Sequence, residues 1–324
     1  MSQKPRFFTG IQATGTLTLG NYCGAIQPIL KIQDDYEVIV MIADLHALTV
    51  PKPNFDYRKK CYEIASLLYA CGLKEENCKI FIQSEIPEHL ELTWLLAPFV
   101  TVSELNNMIQ YKEKKKGQET GNLALLSYPV LMVSDILLYD ADLVIVGQDQ
   151  KQHLELTNDI TNKFNNFCAA KVLKIPKFSI PAIGAKIMGL KNPQKKMSKS
   201  ENDYIALLDS PETITQKIKE AETDSENKIY YDPEKKPGIS NLLVIYALLS
   251  GKEIKKTEEE LKSSNYHQFK VKLSGLLNEK LAVIQKGYDN YLFRIKGILE
   301  KNNDYLKELA KAKVKMIKEK LKLK

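Results

Sequence analysis

Two short segments carry residue types suited to phosphate chemistry. Lys196-Met197-Ser198-Lys199-Ser200 sets two lysines three apart among hydroxyls. A mobile loop of that make-up can close on a polyphosphate and supply charge as it leaves. Taken alone, an exposed linker reads the same way. Upstream, Thr9 to Tyr22 places Gly10, Gly15 and Gly20 between an apolar run and a helical pattern. In an α/β sheet this is where nucleotide phosphates bind, because glycine permits close backbone approach and a helix N-terminus is electropositive. Gly15 and Gly20 have P-loop spacing, but Asn21-Tyr22 stands where that motif needs Lys and Ser/Thr, and no GxGxxG is formed. A purely structural turn also fits this segment by itself.

The charge distribution bears on the same chemistry. The net charge of +7 over 324 residues is uneven. Residues 301–324 hold nine lysines against Asp304, Glu308 and Glu319; residues 186–199 hold five lysines and no acid; Lys112-Glu113-Lys114-Lys115-Lys116 adds a third basic run. The remainder is acidic, so anionic partners are expected at three patches, although any single run also reads as a solvated face. With 44% hydrophobic and 27% charged residues the chain is neither disordered nor fibrous. No apolar run approaches a membrane span or a signal-peptide core, so a cytoplasmic location and no membrane partner are expected. Cys23, Cys61, Cys71, Cys78 and Cys168 form no Cys-x-x-Cys pair, which predicts free thiols and no protein-bound metal.

The elements that must position these segments follow from periodicity. Strands are predicted at Phe7–Thr9, Val38–Ile42, Lys79–Gln83 and Leu143–Val146, alternating with helices over 20–33, 56–71, 88–97, 103–113, 129–139 and 149–166. Continuous apolar strands between helices predict an α/β fold with a parallel sheet covered on both faces. Beyond about residue 200 only helical patterns remain, over 212–222, 240–250, 257–263 and 267–323. In the last, Leu306, Ala310, Val314, Ile317 and Leu321 form one apolar stripe, predicting a helix packed on the body with lysines turned outward.

Five stretches together carry a resemblance: Thr18-Leu19-Gly20-Asn21, Lys196 to Ser200, Tyr128 to Tyr139, Val146 to His153 and Lys236 to Leu243. The first resembles a variant HIGH motif and the second is identical to KMSKS, both of class I aminoacyl-tRNA synthetases. The set, in register from about Phe8 to Gly251, resembles the bacterial tryptophanyl-tRNA synthetase family. The resemblance implies a Rossmann-like doubly wound parallel sheet over 1–200, ending in the KMSKS loop, then an all-helical anticodon-binding domain over 201–324. It implies that L-tryptophan attacks the α-phosphorus of ATP, bound with Mg2+ as a substrate complex, and that the adenylate is transferred to tRNA(Trp) by a homodimer.

Position by position, the resemblance implies that Gln12, Gly20 and Asn21 contact ATP and that Gly147, Gln148 and Asp149 hold the adenylate. Ile187 would pack on adenine, while Lys196 and Lys199, flanking Met197 and Ser198 and followed by Ser200, would grip the phosphates, and Lys114 would reach the pyrophosphate. Asp135 would accept the indole N–H, a donor with no acceptor capacity. Tyr128 and Gln150 would hold the amino group, and Phe8, Met132 and Val146 would wall the indole. His46, after the second strand, is placed at the active-site edge, touching substrate or the closing loop. His153 is read as structural, His89 and His267 as surface residues, and Trp94 as a core anchor. Ala13, Gln148, Asn158 and Lys186 depart from the family's usual residues; Lys186 puts a point charge where a bidentate fork is common. The rivals are the tyrosine-specific sister synthetase, separated by Asp135, and an inactive RNA-binding paralogue, disfavoured by two intact motifs.

Overall fold

The computed structural model describes residues 4–114, 121–145, 151–179, 187–199 and 201–323. Its sheet consists of β1 (Arg6–Gln12), β2 (Glu37–Ala43), β3 (Cys78–Ile82), β4 (Leu143–Ile145) and β5 (Lys177–Ser179), all parallel, in the order β3-β2-β1-β4-β5. In β2, Val38 to Ala43 are all buried, as a strand covered on both faces requires. The chain leaves β1 toward one edge of the sheet and β4 toward the other, the doubly wound topology. β5 was not predicted: three residues with Phe178 as their only large apolar side chain, flanked by Pro176 and Pro181, give no periodicity to read.

The connecting helices are α1 (Leu19–Asn21), α2 (Gln27–Ile32), α3 (Asp44–Ala47), α4 (Tyr57–Ala70), α5 (Glu88–Leu96), α6 (Val102–Asn106), α7 (Ile109–Lys114), α8 (Leu123–Leu137) and α9 (Lys151–Phe167). A π-helical turn over Tyr22–Ile26 joins α1 to α2 just before Pro28, whose missing N–H cannot close a regular turn. Asp56 caps α4 through the Lys59 N–H, and Gly72 at φ +110° follows its end. α8 begins six residues before the predicted start: Asn122 caps it through Leu125 N–H, and Pro129 lies inside the helix rather than at its first turn.

After the sheet come α10 (Pro211–Glu220), α11 (Pro237–Ser250), α12 (Ile254–Leu261) and α13 (Tyr266–Lys320). At 55 residues α13 is about 80 Å long. Its first half packs with α10 and α11, and it continues across α4, β3 and α5 of the sheet region. Leu306, Ala310, Val314 and Ile317 are buried against the layer formed by α5, α8 and α9, with Leu321 packed beside them, as the stripe predicts. Asn302 donates to the Tyr69 hydroxyl and the Ile80 carbonyl at 3.0 and 2.9 Å, and Lys313 is buried against Asp140 at 2.6 Å and the Val172 carbonyl at 2.9 Å. Part of the C-terminal basic run is therefore structural. A second lock holds the start of α13: buried Lys236 meets Asp224, Glu226 and the Tyr266 hydroxyl at 2.8–2.9 Å.

The five cysteines are free thiols, four of them buried, and burial pushes Cys23, Cys71 and Cys78 up to about 12. Among the described residues no helix is long and apolar enough to cross a membrane.

Candidate active site

The carboxyl ends of β1 and β4 lie side by side at the point where strand order reverses, the crevice in which an open α/β sheet takes its ligand. Two clusters of side chains stand there.

The first is built on the glycine turn. After Gln12 the backbone runs through Ala13 to Leu17, and Thr18 then starts α1 with a reciprocal cap. Thr18 N–H donates to Asn21 Oδ1 at 3.0 Å and Asn21 N–H to Thr18 Oγ1 at 3.3 Å. The cap commits the Asn21 carbonyl oxygen and leaves its NH2 as the group able to donate to a ligand. Residues 187–199 fold over this turn. Asp203 anchors them, its carboxylate accepting from the N–H groups of Leu190 (2.8 Å), Lys191 (3.1 Å) and Asn192 (3.0 Å). A β-carbon on Gly189 would lie 2.2 Å from Asp203 Oδ2, so only glycine fits there. The chain beyond pairs with the turn itself, Leu19 N–H to the Ile205 carbonyl at 2.8 Å and Leu207 N–H to the Leu17 carbonyl at 3.0 Å.

This pairing brings the two motifs together. Lys199 Nζ lies 3.1 Å from where a β-carbon on Gly15 would be, and Met197 Sδ lies 3.8 Å from the equivalent point on Gly20. Met197 N–H donates to the carbonyl of Ile187, which is buried beneath the loop. Lys52 Nζ reaches the Thr14 carbonyl at 3.5 Å, and Lys60, paired with Glu63, stands nearby. Partial burial, and then the like charges of Lys60 and Lys52, hold the Lys199 ammonium below the usual lysine range. Lys199 and Lys52 set positive charge on a turn with open backbone, with Lys60 near enough to act on Lys199, which makes a site for a polyanion.

The second cluster centres on Asp135, 1% exposed on α8. Oδ1 accepts from His89 Nδ1 at 2.6 Å and Gln83 Nε2 at 2.8 Å; Oδ2 accepts from His46 Nε2 at 2.7 Å and Gln83 Nε2 at 3.0 Å. A carboxylate can only accept, so both imidazoles present an N–H to it. Burial alone would raise the Asp135 pKa, but the hydrogen bonds from His46 and His89 outweigh it and hold the group at about 2. His89 Nε2 meets the Tyr139 hydroxyl at 2.9 Å; burial, then Asp135 and Glu88, push that phenol well above its ordinary value. The His46 ring stands edge-on to Tyr128, centroids 6.1 Å apart, and the Tyr128 hydroxyl donates to Gln110 Oε1 at 2.9 Å and meets His153 Nε2 at 3.1 Å. Phe8 is buried against Tyr139, and Met132 packs half-buried in the same layer. Gln12, whose Nε2 donates to the His46 carbonyl at 3.2 Å, links the two clusters.

Gln12, Gly20, Asn21, Ile187, Lys196, Met197, Ser198 and Lys199 thus belong to one assembly, and Phe8, His46, Tyr128, Met132 and Asp135 to the other. Val146, Gly147, Gln148, Asp149, Gln150, Lys186 and Ser200 lie outside the described residues, as does the Lys114 side chain. His89 corrects the surface expectation: it is 0% exposed. On α5, His89, Leu92 and Leu96 fall three and four apart and face inward together, a spacing that would have revealed it. The same geometry turns Trp94 outward, 80% exposed beside Leu90, against its expected place in the core. Gln83, Lys52, Lys60 and Asp203 carried no local signal, because each is brought in by tertiary contact alone.

Over residues 1–282 the chain matches the family described as tRNA synthetases class I (W and Y). It belongs to that family. A tryptophan–tRNA ligase of Caldanaerobacter subterraneus subsp. tengcongensis is 44% identical over 320 residues, 98% of each chain. Among solved structures, the tryptophanyl-tRNA synthetase of Mycoplasma pneumoniae superposes with a TM-score of 0.87 at 32% identity, over 99% of each chain. That of Campylobacter jejuni, complexed with ADP and tryptophan, superposes at 0.85 and 29%, over 98% of this chain and 99% of its own. The class I synthetase fold, a parallel sheet followed by a helical region, is therefore common to this chain and these relatives.

Proposed function

We propose that this synthetase activates L-tryptophan with ATP and transfers it to the 3′ end of tRNA(Trp). The observation that carries the choice of amino acid is Asp135, a buried carboxylate kept ionised beside the nucleotide crevice. An indole N–H can only donate, and a buried acceptor that loses its donor is costly, so such a group favours tryptophan over phenylalanine. Phe8, Met132 and Val146 wall the ring in this reading, and Tyr128 and Gln150 hold the amino group, with His46 at the pocket edge.

ATP enters as its Mg2+ complex on the turn from Gln12 to Asn21, with Gly147, Gln148 and Asp149 holding the adenosine ribose and α-phosphate and Ile187 packing on adenine. The tryptophan carboxylate attacks the α-phosphorus in line, and pyrophosphate leaves toward Lys196, Lys199 and Lys114, beside Met197, Ser198 and Ser200. No side chain forms a bond to the substrate. Catalysis is alignment plus stabilisation of charge on the departing phosphates. Lys199, below the ordinary lysine range among Lys52 and Lys60, gains most from a polyanion, since phosphate relieves the crowding that depresses it.

Residues 1–200 form the ATP and tryptophan domain in this reading and residues 201–324 the tRNA-binding region. The enzyme works as a cytoplasmic homodimer, with the exposed Leu90 and Trp94 of α5 as the natural apolar contact. ATP–pyrophosphate exchange with each amino acid tests the assignment: tryptophan supports it, and exchange with tyrosine instead would establish the sister specificity.

A further inference from the structure

We propose that His89 is a positioning residue for amino-acid selection: held between Tyr139 and Asp135, it fixes the carboxylate as the acceptor for an indole N–H. The proposal deepens the reading above and rests on Asp135 meeting that N–H.

The geometry leaves His89 no other orientation. One ring nitrogen is 2.6 Å from Asp135 Oδ1 and the other 2.9 Å from the Tyr139 hydroxyl. One face stacks on Phe81, centroids 5.6 Å apart at 24°. Tyr139 is itself fixed, stacked on Phe8 at 6.0 Å and edge-on to Phe81. The phenol keeps its proton, so in the neutral ring Nε2 accepts from Tyr139 and Nδ1–H is left for Asp135, which sets the tautomer.

The two oxygens of Asp135 are then unequal. Oδ1 is held by His89 and Gln83, both fully buried; Gln83 Nε2 also reaches Oδ2, at 3.0 Å. The other partner of Oδ2 is His46, whose side chain is 14% exposed, so the carboxylate is nearest to a ligand on the His46 side. By holding Oδ1, His89 fixes the plane of the carboxylate with Oδ2 on the His46 side, and together with His46 it offsets the burial that raises the group's pKa. A protonated carboxyl could point its own proton at the indole N–H, setting donor against donor. His89 thus acts without touching substrate, through the residue that does.

The test compares kcat/KM in ATP–pyrophosphate exchange for tryptophan and for its benzothiophene isostere, in which sulfur replaces the N–H. A structural role would lower both substrates together; a positioning role lowers tryptophan alone. For His89→Leu the expected result is about a ten- to hundredfold loss for tryptophan and less than about threefold for the isostere. His89→Asn, whose amide places a donor near the position of Nδ1, should recover most of the tryptophan preference. Tyr139→Phe removes one hydroxyl with almost no change of volume and should shift the ratio the same way by a smaller factor, so the proposal stays testable if the leucine variant fails to fold. Equal losses for both substrates in His89→Leu, or an unchanged ratio in Tyr139→Phe, overturn it. Asp135→Ala is the control: if that variant loses both substrates equally, the Asp135 reading itself fails, whereas a selective loss there without one at His89 refutes only the present inference.

Discussion

The Lys199 ammonium rests directly over Gly15, 3.1 Å from the point a β-carbon would occupy. Residues 184 positions apart in the chain therefore share one volume, with the glycine's missing side chain as the space that admits the cation. Gly15→Val should displace Lys199 and weaken the hold on the departing phosphates proposed for it. Losing one charge-assisted contact corresponds to about a ten- to hundredfold fall in exchange kcat/KM for ATP. Gly15→Ala should fall between, because the contacting atom is the end of a flexible side chain. Steady-state exchange kinetics, with thermal unfolding as control, check this; full activity in Gly15→Val would remove Lys199 from the phosphate site.

Asp203 holds the lysine loop by accepting from three consecutive backbone N–H groups. In Asp203→Ala those donors lose their partner at about 1–3 kcal/mol of stability, and the loop loses its register over the turn. Exchange kcat should drop at least tenfold by rough estimate, while tryptophan binding measured by calorimetry in the absence of ATP stays within about twofold. Equal loss of both would mean that Asp203 supports the whole domain.

Much of this arrangement is legible in the sequence where periodicity is strong. Val38 to Ile42 reads as a two-sided buried strand because it is apolar without interruption, and Leu306 to Ile317 reads as a docked stripe because its spacing is helical. What escaped was non-local. β5 is three residues long and takes its identity from pairing with β4. α8 starts six residues before the predicted residue 129, because the Asn122 cap sets its start and Pro129 is carried inside the helix. His89, expected at the surface, and Trp94, expected as a core anchor among Leu92, Leu95 and Leu96, take the opposite environments because helical phase, not sequence proximity to leucines, decides which side of α5 faces inward. The spacing His89-Leu92-Leu96 fixes the inward face of α5 and leaves Trp94 outside. Asp135 was found through motif resemblance, but Gln83 and His89, which hold it, come from other elements.

The Asp135 hydrogen bonds predict an acid limb in stability. The native pKa of about 2 lies below the ordinary 3.8, so the stabilisation is fully present above about pH 4 and is lost as pH falls toward 2. Asp135→Asn cannot titrate. The difference in unfolding free energy between wild type and this variant should narrow as pH falls below about 4 in urea titrations. A difference constant down to about pH 3 would show that the carboxylate is not held ionised by its imidazoles.

Trp94 offers a test of assembly. With Leu90 one helical turn away it forms an apolar ridge that no described residue of its own chain covers. Trp94→Arg should convert the proposed homodimer to monomers in sedimentation velocity at micromolar concentration without changing the far-UV circular dichroism spectrum. A monomeric wild type, or a dimer indifferent to Trp94→Arg, would move the interface elsewhere.

The C-terminal lysines separate into two groups with different predicted effects. Lys313 is buried against Asp140 and the Val172 carbonyl; Asp140 stays 41% exposed to water, so Lys313→Met mainly leaves that carbonyl without its donor and should cost about 1–3 kcal/mol in unfolding free energy. Lys315, Lys320 and Lys322 are exposed and should each cost close to nothing. Arg6, Arg58 and Arg294 are the only arginines, and Arg6 and Arg294 are committed to Glu37 and Glu75, so contacts to a tRNA backbone fall mainly to lysine. Cutting the chain at residue 300 would not test that role, because it would strip Leu306, Ala310, Val314 and Ile317 from the core. Charge reversal leaves the stripe intact. Changing Lys315, Lys320 and Lys322 together to glutamate should raise the aminoacylation KM for tRNA several-fold and flatten its salt dependence by roughly one unit of log slope per lysine, while tryptophan-dependent exchange stays unchanged. An unchanged tRNA KM and salt slope would leave this end of α13 with a purely structural role.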